Sequence, residues 1–215
     1  MDDYTSPHWR RSALLTVDMQ RDFVSNPQYQ VPGTAEVLPN VRALAGAFRT
    51  AGRPIVHLVR LYLPDGSNAD LCRRSVLRAG ARLVHPGSPG AELADGLALD
   101  PGTRMDSERL LAGEPQSIGT KEWILFKPRW GGFFGTQLDA TLRGEEVDTV
   151  AVAGCNFPNC PRATIIGASE RDFRVLAVSD ALSQWTEGAQ AELAGIGVTT
   201  LSTVSALHEL QPAQS

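Results

Sequence analysis

No stretch of this sequence approaches the roughly 20 consecutive apolar residues that a bilayer-crossing helix needs, so no membrane anchor is expected. Its first residues, Met1-Asp2-Asp3-Tyr4-Thr5-Ser6-Pro7-His8, are polar and acidic, unlike the start of a secretory or organelle signal. Cysteine is scarce and odd in number, with only Cys72, Cys155 and Cys160. Without a signal peptide, that argues against a disulfide framework and for a cytoplasmic protein with reduced thiols. Basic charge is not in excess either. Lys and Arg number 20 against 24 Asp and Glu, a net charge of −4. Neither nucleic acid nor an anionic membrane surface is therefore an expected partner.

The usual chemical signatures are also missing. His8, His57, His85 and His208 are scattered, with no His-x-x-x-His and no Asp-x-His pair, so no zinc or iron site is expected. His57, in the middle of an apolar run, reads as a packed or hydrogen-bonded core residue. Gly113 and Gly119 are separated by five residues rather than the four of a phosphate loop, and Thr120 precedes Lys121 instead of following it. Gly195-Ile196-Gly197 falls where a helix should stop, not where a dinucleotide-binding helix would start. No Gly-x-Ser-x-Gly elbow is present. These absences leave no motif for a cofactor, and none is expected.

What is present is globular. Over 215 residues, hydrophobic side chains make up 42% and charged ones 20%, enough to bury a core without metal or disulfide staples. Short β-branched runs alternate with helical periodicity. Strands are expected at Ser12–Val17, Pro54–Leu61, Trp123–Phe126, Thr149–Ala153, Arg174–Ser179 and Val198–Leu201. Helices are expected at about 35–51, 136–143, 161–171 and 187–195, with a short one at the end. That alternation predicts an α/β fold, a mostly parallel sheet covered on both faces, in one domain over 1–215. Residues 62–122 are rich in Gly and Pro, with one helical patch around Asp70–Ala79. A long irregular insertion after the second strand lies at the edge where open α/β sheets bind ligands, and is expected to shape a substrate site.

Three strand ends carry chemistry. Asp18 follows the apolar run Leu14-Leu15-Thr16-Val17, a costly place for an unpartnered carboxylate. Lys127 follows Trp123-Ile124-Leu125-Phe126 in the same way. Between strand and helix comes Gly154-Cys155-Asn156-Phe157-Pro158-Asn159-Cys160-Pro161, which places Cys160 at a helix N-cap with Pro161 at the first helical position. Unpaired N–H groups there would lower the thiol pKa and could hold an oxyanion. In a parallel sheet Asp18, Lys127 and Cys160 share one edge and could form an acid, a cation and a thiol for covalent catalysis. The same residues are equally consistent with an Asp18–Lys127 ion pair beside an unrelated cysteine. Cys155 reads as packing, and nothing marks Cys72 for a role.

At this point a resemblance appears. Leu15-Thr16-Val17-Asp18-Met19-Gln20-Arg21-Asp22-Phe23 resembles the opening motif of the isochorismatase-like cysteine hydrolases. Lys127 with Phe133 six residues on resembles the second motif, and Gly154 six residues before Cys160 the third. The resemblance spans about 12–180 and leaves 62–122 uncovered. It implies a three-layer α-β-α fold with a six-stranded parallel sheet, and a homodimer or homotetramer. It also implies a small-molecule substrate attacked by Cys160, with Asp18 as proton carrier and Lys127 holding Asp18. A cis peptide at Cys155–Asn156 would aim the Asn156 N–H, with that of Cys160, at an oxyanion.

The implied reaction is hydrolysis of an amide, ureido or lactam carbon–nitrogen bond. Carbamoyl and biuret-like compounds, maleamate-like acids and the streptothricin lactam are candidates. Acid-catalysed ether or ester cleavage by Asp18, and a non-catalytic binding protein, are the alternatives. Cys160 argues against the vinyl-ether chemistry of cysteine-lacking members. Nicotinamidase-like members hold a metal after the second strand, where this sequence reads Arg60-Leu61-Tyr62-Leu63-Pro64-Asp65 without a histidine. Phe23, Arg60, Tyr62, Trp130, Phe133 and Phe157 are the candidate pocket residues by position, with Arg60 placed to read a substrate carboxylate. Core packing is the competing assignment for the aromatics, and a surface position for Arg60.

Overall fold

A computed structural model describes residues 4–211. A 3-10 turn at Trp9–Arg11 leads into β1 (Ser12–Val17), followed by α1 (Arg21–Val24), α2 (Thr34–Thr50) and β2 (Ile55–Val59). The insertion holds α3 (Leu71–Arg78), α4 (Ser107–Leu111) and β3 (Gln116–Gly119). Then come β4 (Glu122–Phe126), α5 (Leu138–Gly144), β5 (Thr149–Gly154), α6 (Cys160–Ser169), β6 (Arg174–Leu182), α7 (Glu187–Ala194), β7 (Thr199–Leu201) and α8 (Thr203–Glu209).

The sheet order is β3-β4-β2-β1-β5-β6-β7. Six strands run parallel, as expected, and β3 adds a seventh, antiparallel strand on the β4 edge. Every residue of β1, β2 and β5 is buried, which explains their continuous apolar runs: a parallel strand covered on both faces has no solvent side to alternate toward. One apolar layer packs α2 against the sheet through Val41, Leu44 and Phe48. The other packs α5, α6 and α7 through Leu138, Leu142, Ile165, Ala168 and Leu193.

Because β1 is flanked by β2 on one side and β5 on the other, the chain reverses its direction of travel across the sheet there. The crevice beyond the C-terminal ends of β1 and β5 is the topological switch point, where such sheets bind ligands. Gly154 permits the close approach of the two strands: a Cβ on it would lie 2.2 Å from the Val17 carbonyl oxygen, and its φ is +124°.

A polar chain crosses the buried sheet. The Thr16 hydroxyl lies 2.7 Å from His57 Nδ1, and His57 Nε2 lies 2.8 Å from Glu122 Oε1. Arg49 of α2 donates to both Glu122 oxygens. His57 is thus the hydrogen-bonded core residue that its position suggested. Burial alone would raise the Glu122 pKa, but hydrogen bonds from Arg49 and His57 hold it down at about 2. A carboxylate depressed from its unfolded value near 4.5 stabilises the fold above that pH. The contribution is lost as pH falls toward 2, and is worth up to about 3 kcal/mol. Glu122→Gln is therefore expected to lower Tm at pH 7 and to flatten the fall in Tm between pH 4.5 and 2. Equal acid slopes in the two proteins, measured by thermal melts, would show that Glu122 does not carry it.

Candidate active site

Asp18 is the first residue past β1 and adopts φ +53°, a left-handed conformation uncommon outside glycine but tolerated by Asp. Its N–H donates to Leu58 O at 2.9 Å, so the turn is fixed by the neighbouring strand. Lys127, fully buried at the end of β4, is held by its own N–H to Val59 O at 3.0 Å. Its Nζ donates to Asp18 Oδ2 at 2.9 Å. Asp18 Oδ1 is buried and has no hydrogen-bond partner among the described residues, leaving lone pairs open to a proton.

The turn from β5 to α6 is stitched to both neighbouring strands. Cys155 N–H donates to Val17 O at 2.9 Å, Ser183 N–H to Gly154 O at 3.0 Å and Phe157 N–H to Ser183 O at 2.8 Å. Asn159 rather than Cys160 is the N-cap, so Cys160 is the first residue of α6 and Pro161 the second. Arg162 and Ala163 N–H groups bond back into the turn, whereas those of Asn156 and Cys160 have no partner among the described residues. They are the donors available to an oxyanion. The expected cis peptide is not there. Cys155–Asn156 is trans, and the residue of this turn with positive φ is Gly154, at the end of β5.

The thiol also departs from expectation. The helix start was expected to lower its pKa, but burial pushes Cys160 up to about 11. Asp18 adds to the rise, and Lys127 and Arg60 oppose it. A resting thiol here is protonated at neutral pH. Burial pushes Cys155 higher still, to about 12, and this cysteine packs among Thr34 and Ser183.

Asp18, Cys160, Phe23, Arg60, Tyr62, Trp130 and Asn156 line one narrow cleft that encloses about 30 Å³. Phe133 and Phe157 do not belong to it. Phe133 packs on Phe173 with ring centres 5.8 Å apart, and Phe157 meets Trp185 edge-on at 4.6 Å. Both are core aromatics, because following a motif in sequence does not fix the side on which a ring emerges. Arg60 is not on the surface: it is 1% exposed. A wider groove runs along α6 past Phe134, Arg162, Ile166 and Arg171, but neither Asp18 nor Cys160 opens into it.

Residues not anticipated complete the cleft: Val31, Asn159 and, from the insertion, Arg73 and Leu83. Two others hold the insertion in place. Gln20 Nε2 donates to Arg60 O and Ala91 O, and Gln20 Oε1 accepts from Arg60 N. The Asp22 carboxylate accepts from Val84 N at 2.6 Å and Asn26 Nδ2 at 2.7 Å. Gly90 lies so close that a Cβ there would meet Asp22 Oδ1 at 2.1 Å. Polar residues alternating after Asp18, in a segment that is mostly buried, were the signal for these anchors.

The metal site of nicotinamidase-like members finds no match in these residues. Asp65 is in an exposed turn with Oδ1 accepting from Ser67 N, His57 is committed within the sheet, and His85 Nδ1 is 2.8 Å from Pro86 O. Among the described residues no group of three or more His, Cys, Asp and Glu side chains is placed to hold a metal ion. Nor is any helix among them long and apolar enough to cross a membrane.

Residues 12–204 match the isochorismatase domain. A probable inactive nicotinamidase of Arabidopsis thaliana is 30% identical over 210 residues, covering 94% of this chain and 95% of that protein. The ureidoacrylate amidohydrolase of Methylobacterium radiotolerans is 26% identical over 190 residues, covering 80% of this chain and 66% of its own. A crystal structure of an isochorismatase family protein from Desulfovibrio vulgaris has a TM-score of 0.76 and 32% identity, covering 94% of this chain and 98% of that one.

Proposed function

Because the chain belongs to the isochorismatase family, we propose that it is a hydrolase of small-molecule carbon–nitrogen bonds that works through a Cys160 thioester. The observation that carries this reading is Asp18, whose carboxylate is anchored through Oδ2 on Lys127 and open at Oδ1, in the cleft that Cys160 lines.

In this reading the raised thiol pKa assigns Asp18 its first task. A protonated thiol is a weak nucleophile, so a base must take its proton as the sulfur–carbon bond forms. Cys160 attacks the carbonyl carbon, Asp18 Oδ1 receives the proton, and the carbonyl oxygen becomes an oxyanion facing the Asn156 and Cys160 N–H groups. Each such donor is worth roughly 10²–10³ in rate. Collapse breaks the carbon–nitrogen bond, and Asp18 returns the proton to the leaving amine. Water then attacks the thioester and gives a proton to Asp18, and this proton passes to the sulfur as the acid leaves. Lys127 keeps Asp18 oriented through the 2.9 Å contact to Oδ2 in a buried setting. The insertion at 62–122 closes the cleft as part of the same domain and sets which amide enters.

The test is a mass-detected hydrolysis panel of primary amides, ureido acids and lactams on the native protein and on Cys160→Ala. Mass detection registers lactam opening, which adds water without releasing ammonia. Turnover by the native protein alone supports the reading and names the bond. Turnover by both proteins removes the thiol from the mechanism. Silence from both, with Cys160 also inert to alkylating agents, favours a binding protein that kept the fold.

A further inference from the structure

Arg60 is built into the cleft in a way that packing alone does not account for. Its backbone is clamped on both sides by the Gln20 side chain, at 2.8 Å to the Arg60 N–H and 2.8 Å to its carbonyl. The guanidinium lies between the rings of Tyr62 and Trp130, 5.7 and 5.4 Å from their centres. Nη2 approaches Asp70 Oδ2 to 3.0 Å, yet Nε, Nη1 and Nη2 make no well-directed hydrogen bond among the described residues. Asp70 Oδ1 is likewise without a partner. Arg49 shows what a structural arginine does in this protein: its Nε and Nη2 are spent on both Glu122 oxygens and on Leu97 O. Buried donors left without acceptors cost free energy, and a planar fork of them matches a carboxylate.

The charges around the cleft agree with that acceptor. Lys127 neutralises Asp18, and Asp70 lies against Arg60. Arg73, on the exposed rim, has no ion pair among the described residues, so the cleft carries one positive charge in excess. Aromatic faces on two sides keep water from the guanidinium and strengthen its attraction for an anion.

We propose that Arg60 reads a carboxylate on the substrate, and that the hydrolysed compound is an anionic amide: a small acid whose carboxylate sits a few bonds from the scissile carbonyl. The proposal rests on the thiol-hydrolase reading for the bond that breaks, and on Arg60 alone for the charge of the substrate.

Alkylation separates the two. Iodoacetate and 3-iodopropionate are each compared with their neutral amides. In every case the Cys160 sulfur displaces iodide, a sulfur–carbon bond replaces the carbon–iodine bond, and the thiol proton passes to solvent. Rates at Cys160 are read by peptide mass mapping and divided by those of N-acetylcysteine amide in the same solution. The acid reagent of at least one chain length is expected to be favoured by at least about 10-fold at Cys160, the low end of electrostatic steering in a cleft. Arg60→Gln should remove the preference, and Arg60→Lys should keep part of it, since charge remains and the fork does not. The native protein supplies the deciding ratio even where a variant fails to fold. Labelling of Cys160 with no acid preference at either length overturns the role of Arg60 and leaves the nucleophile standing. Cys160 inert to all four reagents while exposed Cys72 reacts overturns the nucleophile and the proposal together.

Discussion

Cys160→Ser is expected to lower kcat by on the order of 10⁴ or more, with Tm within a few degrees of the native value. Serine fits the same space at the start of α6, so little packing is lost. The chemical loss is large because an alcohol is a much weaker acid than a thiol, and the base available is a carboxylate already engaged by Lys127. The native thiol is itself protonated at rest, pushed up to about 11 by burial first and Asp18 second. Its alkylation by neutral iodoacetamide should therefore keep rising with pH well beyond neutrality. Hydrolysis should not follow that rise, because there Asp18 takes the proton as the new bond forms. A Cys160→Ser protein retaining more than about one per cent of the rate would place bond cleavage outside the thioester route.

The strand ends were legible because burial and charge conflict there. A carboxylate after Leu14-Leu15-Thr16-Val17 and an ammonium after Trp123-Ile124-Leu125-Phe126 each need a partner, and one ion contact at 2.9 Å supplies both. The parallel strands were legible as apolar runs. The four-residue β3, with its half-exposed Gln116-Ser117-Ile118-Gly119, carries no such run and was not. Within the insertion, the sequence pattern does not reveal which residues reach the site. Arg73 and Leu83 reach the cleft because Gln20, Asp22 and Asn68 bond to Ala91 O, Val84 N and Leu61 O, partners that no pattern in the sequence names. The direction of the thiol pKa is hidden for a related reason: a helix start is visible in sequence, and the 5% exposure that outweighs it is not. Phe133 and Phe157 show the same limit for orientation.

The Asp18–Lys127 pair supplies the sharper separation of stability from chemistry. Each partner is almost fully buried, so Asp18→Asn alone leaves an ammonium without its counter-charge and Lys127→Met alone leaves a carboxylate. Either single change is expected to destabilise the fold by about 3–5 kcal/mol, because an uncompensated buried charge is what remains. The double variant Asp18→Asn/Lys127→Met removes both charges and should recover most of that loss, a coupling that denaturant unfolding would read as strong non-additivity. Activity should not recover with it. The amide that replaces the Asp18 carboxylate cannot take the thiol proton, so kcat in the double variant should remain at least about 10³-fold below native, near that of Asp18→Asn. A purely structural pair predicts the opposite: once the double variant folds, turnover should return along with stability. Recovery of both would reduce Asp18 and Lys127 to an ion pair beside the thiol, whereas recovery of stability alone assigns them to the proton transfer.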